Sequence, residues 1–161
     1  MEQSKIILII GKKGSGKTTL SEKIVRDIKK QSNKKTVYVG PFPKDFYDEF
    51  YFCFDDKTFH EISFDMLKKN NRIWVIDDFD LYKTNEWFDK FLCVIRHLNS
   101  DLIVNCRRSK NITMLLQNQV DILYTFKQTL LYDIKYLSEW TGLPREKFLT
   151  LKKFQYLKII F

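Results

Sequence analysis

The feature that most constrains this 161-residue chain is the junction at Gly11. Lys5–Ile10 is an unbroken run of β-branched and apolar residues once past its lysine. A run without alternation reads as a strand buried on both faces, the habit of parallel sheets. Gly11-Lys-Lys-Gly-Ser-Gly-Lys17-Thr18 follows at once and fits G-x-x-x-x-G-K-[ST] in full. Leu20, Ile24, Val25 and Ile28 then recur at helical spacing to about Lys30. Strand, glycine loop and helix in that order form the context in which the pattern cradles phosphate. Gly11, Gly14 and Gly16 let the backbone curl so that the N–H groups of Lys12, Lys13, Ser15 and their neighbours, with the positive end of the helix at Thr19, surround an anion. Lys17 reaches the β- and γ-phosphates, and the Thr18 hydroxyl ligates Mg²⁺. ATP with Mg²⁺ is the expected ligand.

The rest of the chain alternates. Thr36–Val39, Arg72–Ile76, Leu102–Val104 and Val120–Phe126 read as further strands, with a closing strand near Phe154–Ile160. Residues 84–98, 111–117 and 129–140 read as helices, the last ended by Gly142 and Pro144. Residues 58–63 read as an edge strand or hairpin, and 44–56, aromatic and acidic without a period, carry no assignment. The pattern and the glycine loop together predict an α/β fold, a P-loop NTPase with a mostly parallel sheet flanked by helices, and one domain over 1–161.

Arg72-Ile-Trp-Val-Ile76 ends in Asp77-Asp78, the expected Walker B partner of the glycine loop. Asp77 would hold Mg²⁺ through water, and Asp78 would orient or deprotonate the attacking water. Asp80 reads as a helix cap or surface charge. Asn105, Arg107 and Arg108 close a strand expected beside the Walker B strand. Asn105 is either a γ-phosphate sensor or a loop cap. Arg107 and Arg108 either stabilise transition-state charge, in this subunit or a neighbour, or form a basic loop.

Lys and Arg total 28 against 20 Asp and Glu, a formal charge of +8 that favours an anionic partner. Basic residues collect at Lys29, Lys30, Lys34 and Lys35, at Lys68, Lys69 and Arg72, at Arg107, Arg108 and Lys110, and at Lys147, Lys152, Lys153 and Lys158. Clusters meeting on one surface would grip nucleic acid through counterion release. With 44% hydrophobic residues, disorder is excluded. Cys53, Cys93 and Cys106 form no disulfide framework or zinc knuckle, and His60 and His97 lack ligand partners. No run is long enough for a signal sequence or membrane span, so an integral membrane protein is not expected. The aromatic segment Phe46, Tyr47, Phe50, Tyr51 and Phe52 reads as core or subunit contact, with base stacking as the alternative.

The order of these elements is similar to the HerA/FtsK superfamily: Walker A at Gly11 to Thr18, Asp77-Asp78, the strand ending Asn105-Cys-Arg-Arg108, then Val120–Phe126, a helix with Asp133 and Leu137, and a closing strand. In size the chain resembles the genome-packaging ATPases of membrane-containing and large DNA viruses. The resemblance implies a fold of RecA/FtsK-like type, ATP hydrolysis coupled to translocation of double-stranded DNA, a homo-oligomer such as a hexameric ring, and a capsid or membrane protein of the virion as partner. It places the protein in the host-cell cytoplasm or the virion. Two departures stand out. HerA proteins usually carry a barrel before the Walker strand, so this chain resembles a bare motor core, and many members have glutamate where Asp78 stands. Two other readings remain: a small P-loop nucleotide or nucleoside kinase, which usually carries an arginine-rich lid not found here, and a slowly hydrolysing nucleotide switch.

Overall fold

A computed structural model describes residues 4–161. In chain order the elements are β1 Ile6–Ile10, α1 Lys17–Gln31, β2 Lys35–Gly40, β3 Glu49–Phe52, α2 Asp56–Lys68, β4 Arg72–Ile76, α3 Glu86–Val94, β5 Asp101–Cys106, α4 Met114–Gln119, β6 Ile122–Phe126, α5 Leu131–Thr141, α6 Glu146–Leu149 and β7 Tyr156–Ile160. Short 3₁₀ turns over Phe79–Leu81 and Ser109–Asn111 follow β4 and β5.

All seven strands form one sheet in the order β3-β2-β4-β5-β1-β6-β7. Every neighbouring pair is parallel except β6 and β7. β1 is flanked on both sides, and alternate residues serve two cores, as the unbroken apolar run requires. Ile6, Leu8 and Ile10 face α2 to α6, which contribute Phe59, Met66, Phe88, Phe91, Leu116, Leu137 and Phe148. Ile7 and Ile9 face α1, with Leu20, Val25 and Tyr47. The same parity turns Ile73, Val75, Ile103 and Tyr38 toward α1. It therefore sends the next odd residues along, Asp77 and Asn105, to the face that carries the glycine loop and its helix.

The strand expected at 58–63 is instead the middle of α2. Phe59, Ile62, Ser63 and Met66 form its buried face, and Asp55 starts it by accepting a hydrogen bond from the Thr58 N–H at 2.7 Å. The unassigned segment before it contains β3, an edge strand held by Asp48. That carboxylate accepts from the Thr36 backbone N–H at 2.7 Å and hydroxyl at 2.8 Å, and Lys29 of α1 reaches it at 3.1 Å. The helix expected at 84–98 ends at Val94, the one expected at 111–117 is shifted to α4, and β7 begins two residues later than expected. Tyr47 is buried and Phe46, Phe50 and Tyr51 pack against the cores, whereas Phe52 is exposed.

Candidate active site

The C-terminal ends of β1, β5 and β4, three adjacent parallel strands, put the glycine loop, Asn105 and Asp77 side by side. Ligands of open parallel sheets bind at this end of the strands. Gly11 N–H donates to the Cys106 carbonyl at 3.1 Å, which ties the start of the loop to the end of β5. Gly16 stands at φ 100 before α1 and supplies no side-chain cap, so the first N–H groups of a 15-residue helix are left for an anion. Gly14 also has a positive φ, of 75.

Lys17 is buried. Its ammonium donates to the carbonyl oxygens of Gly11 at 2.6 Å and Lys12 at 3.2 Å, a brace across the loop. Burial lowers its pKa, opposed by the charges of Asp78 and Asp77. Thr18 is half-buried and Thr19 exposed; Lys12, Lys13 and Gly14 are exposed at the rim, and Ser15 is buried with its hydroxyl unpartnered.

Asp77 is held from three sides. One carboxylate oxygen accepts from the Tyr38 hydroxyl at 2.7 Å, the other from the Asn105 amide at 3.1 Å and the Asp78 N–H at 3.1 Å. Lys44 lies 3.6 Å away. Burial first, and the Asp77 charge second, raise the Tyr38 pKa, so the phenol keeps its proton and donates. Asn105 is fully buried; its amide nitrogen also donates to Ser21 at 3.3 Å, and Ser21 donates to the Thr18 carbonyl at 2.9 Å. Its carbonyl oxygen has no partner. One residue of β5 therefore touches both the acid strand and the helix that opens at Lys17.

Asp78 has left-handed backbone, φ 48, and turns its carboxylate to Arg107. The guanidinium makes a fork, Nε to one oxygen at 3.0 Å and Nη2 to the other at 2.8 Å. This hydrogen bonding raises the Arg107 pKa. Arg108 points elsewhere: its Nε lies 3.5 Å from Asp133, a buried carboxylate that accepts from the Ser109 N–H at 3.1 Å and hydroxyl at 2.6 Å. Asp80 is not the helix cap or surface charge expected of it. It accepts from the Arg107 and Arg108 N–H groups and from Asn111 at 2.8 Å, and so shapes the loop that presents both arginines. Pattern reading also misses Tyr38, Ser21 and Lys44, whose partners lie far along the chain, and it names Asp133 through the resemblance alone, without its partner Ser109.

The hydroxyl of Thr18 and the carboxylate of Asp77 are hard oxygen donors of the kind that suit Mg²⁺, an ion that keeps several waters and needs few protein ligands. Among the described residues no group of three or more His, Cys, Asp or Glu could form an all-protein metal site. Open clefts of about 640 and 500 Å³ flank the glycine loop on its β6 side and share Phe126 and Phe154.

A central β1 carrying the glycine loop, with β5 inserted between it and the acid-bearing β4, defines a P-loop NTPase of the additional-strand type. The chain belongs to the RNA helicase family, whose sequence model matches residues 7–125. Its fold is that of a P-loop NTPase, a mostly parallel seven-stranded sheet flanked by helices. It is similar to the genome packaging NTPase B204 from Sulfolobus turreted icosahedral virus 2 in complex with sulfate, with a TM-score of 0.81 at 18% identity, covering 99% of this chain and 92% of that one. The same NTPase in complex with AMPPCP gives 0.79 at 18% identity, covering 99% and 94%. The pCW3 conjugation coupling protein TcpA with ATPγS gives 0.70 at 18% identity, covering 98% of this chain and 58% of that one. Among curated protein sequences none matches.

Proposed function

We propose that the chain is a Mg²⁺-dependent ATPase subunit that translocates double-stranded DNA during viral genome packaging, working as a homo-oligomer. The observation that carries this reading is the convergence of Lys17, Asp77 and Asn105 at the ends of three adjacent parallel strands, with Arg107 beside them. The likeness in fold to a genome packaging NTPase and a conjugation coupling protein supports the DNA-moving part.

With a triphosphate in the loop, Lys17 exchanges two backbone carbonyls for β- and γ-phosphate oxygens. The exchange is favourable because a buried ammonium is better compensated by anions than by dipoles. Thr18 and Asp77 would hold Mg²⁺, which would supply positive charge against that of the phosphates. Tyr38 and Asn105 fix the Asp77 carboxylate. Asp78 orients the attacking water or takes its proton, which requires its fork with Arg107 to open. The γ-phosphate is the anion that competes for Arg107, so a bound triphosphate frees the acid. Asn105 links the γ-phosphate position to Asp77 and, through Ser21, to the helix behind Thr18.

Two exposed apolar clusters suit head-to-tail contact between copies, Phe42, Phe52 and Phe54 near the β3 edge of the sheet, and Leu130, Leu131 and Tyr132 after β6, beside the rim of the glycine loop. No described helix is long and apolar enough to cross a membrane. The setting proposed is the host-cell cytoplasm or the virion, with a capsid or virion membrane protein as docking partner.

Phosphate release measured with and without duplex DNA tests the reading. DNA should stimulate it and Lys17→Ala should abolish it; turnover at the parent rate in that variant refutes the site. Membership of the RNA helicase family favours a second reading, in which RNA is the polymer moved. Stimulation by RNA and not by DNA would establish it. A nucleotide kinase would instead convert an acceptor nucleotide without responding to either.

A further inference from the structure

The glycine loop has acids on one side and rings on the other. β4 and β5, which carry Asp77 and Asn105 at their ends, lie on one side of β1; β6 and β7 lie on the other. Phe126 ends β6 and Tyr156 begins β7, their rings edge to face at 5.6 Å. Phe154, in the turn before β7, is 61% exposed. Its ring would lie 3.5 Å from a Cβ placed on Gly16, so it stands against the open end of the phosphate loop.

We propose that Phe154, with Phe126 and Tyr156 behind it, is the stacking platform for the purine base of the bound nucleoside triphosphate, which it reads by the ring face and not by the hydrogen-bonding edge. The inference rests on the nucleotide site proposed above and adds its base subsite. Direction is the first argument. A triphosphate whose terminal phosphate faces Asp77 and Asn105 must send its nucleoside the opposite way, past Gly16 and Thr19. That path enters the cleft of about 500 Å³ lined by Gly16, Thr19, Phe126, Phe154 and Tyr156, within the size range of small-molecule sites.

The second argument is the backbone. Phe154 has φ 66, a left-handed conformation that a bulky aromatic residue rarely adopts. The turn that imposes it is closed by the Gln155 N–H donating to the Lys152 carbonyl at 3.1 Å, and by the Lys152 N–H donating to the Gln155 side chain at 2.9 Å. Glycine or asparagine would make this turn with less strain. A large ring held strained and in water at the mouth of a binding cleft is an outlier of the kind found at ligand clamps.

The third argument is what the cleft lacks. Its remaining wall is Ser15, Leu20, Lys23 and Arg26, and no carboxylate or carboxamide side chain lines it. Guanine presents an acceptor at O6 and donors at N1 and its 2-amino group, where adenine presents a donor at its 6-amino group and an acceptor at N1. The side chains here that can hydrogen-bond without a charge are the hydroxyls of Ser15, Thr19 and Tyr156, which donate or accept equally and so fit either edge, while the rings stack on either base and the cations meet the phosphates, so ATP and GTP bind alike.

Binding of ATPγS, GTPγS and inorganic tripolyphosphate to the full chain tests this. Phe154→Ala should weaken both nucleotides about tenfold, the loss of one base stack, and leave tripolyphosphate unchanged. Phe154→Trp should restore both. An unchanged nucleotide affinity, an equal loss for tripolyphosphate, or a loss confined to one base would overturn the platform. In the parent chain, nucleotides binding no tighter than tripolyphosphate would also overturn it while leaving the phosphate site standing. If neither bound, the nucleotide site itself would fall.

Discussion

Gly11 owes its place to lack of room. A Cβ there would sit 2.5 Å from the Ser15 hydroxyl and 2.9 Å from the Phe126 Cβ, and Phe126 is held by the pairing of β6 with β7, where it lies opposite Tyr156. Gly14, by contrast, has nothing within 4 Å and is needed for its backbone angle. Gly11→Ala should therefore push the loop away from β6 and disturb the Gly11 carbonyl that Lys17 braces. Stability should fall by about 1–3 kcal/mol, the usual cost of overpacking. Nucleotide affinity should fall by about tenfold or more; a urea melt and a binding titration measure the two. The glycine pattern is legible in sequence because its chemistry is local. Asp80 is not, because its worth lies in four donors that the turn after β5 brings to it, from Cys106 to Asn111. Tyr38 escapes notice for the same reason: in sequence it is one more ring in a buried strand, and only the register of β2 against β4 sets it on Asp77.

Among the elements, the buried strands could be read from sequence and the edge could not. β1, β4 and β5 are continuous apolar runs because both faces are covered, whereas β3 is a four-residue edge strand whose aromatic residues show no alternation. Thr58–Ser63 is hard to read because it holds only two apolar residues, Phe59 and Ile62, too few to set a period; the helical face shows only when Met66 is counted. β3 depends on Asp48, whose carboxyl is pulled from 3.8 to about 2, first by the Thr36 N–H and then by the Thr36 hydroxyl and Lys29, against a desolvation effect. A carboxyl whose pKa is lower in the folded state stabilises above its unfolded value, and that stability is lost as pH falls through the folded one. The Asp48 side chain is 41% exposed, so solvent screening limits the effect to about 1 kcal/mol or less. Asp48→Asn should lower stability by that amount at neutral pH, and the gap to the parent should close between about pH 4 and pH 2. Urea midpoints of the pair across that window, with an NMR titration of the Asp48 carboxyl, check it.

At the scale of the molecule the positive charge is less free than its count suggests. Lys34, read from sequence as part of a basic cluster, is buried 2.7 Å from Asp101; Lys69 and Arg72 both face Glu49, and Lys29 faces Asp48. Lys152 and Lys153 of the tail cluster line the cleft beside the glycine loop with Lys12, Lys13 and Lys127. Much of the excess therefore surrounds the proposed nucleotide site, so the proposed grip on DNA would draw on several subunits of the proposed oligomer. The two arginines after β5 divide between these scales. Both side chains are 40% exposed at a rim shared with Leu130, next to exposed Leu131 and Tyr132, but Arg107 makes a two-bond fork with Asp78 of its own chain, while Arg108 comes no nearer than 3.5 Å to Asp133. That position suits an arginine offered to the nucleotide of a neighbouring subunit. Arg108→Ala subunits mixed with parent subunits should then depress DNA-stimulated phosphate release more steeply than their fraction, because each altered copy silences a neighbour's site and stalls the ring around it. Arg107→Ala, acting within its own chain, should weaken each copy's own turnover whether or not parent subunits surround it. Turnover falling in proportion to the fraction of Arg108→Ala would place that arginine in its own subunit's chemistry, and the apolar rim would then have to be explained without the finger.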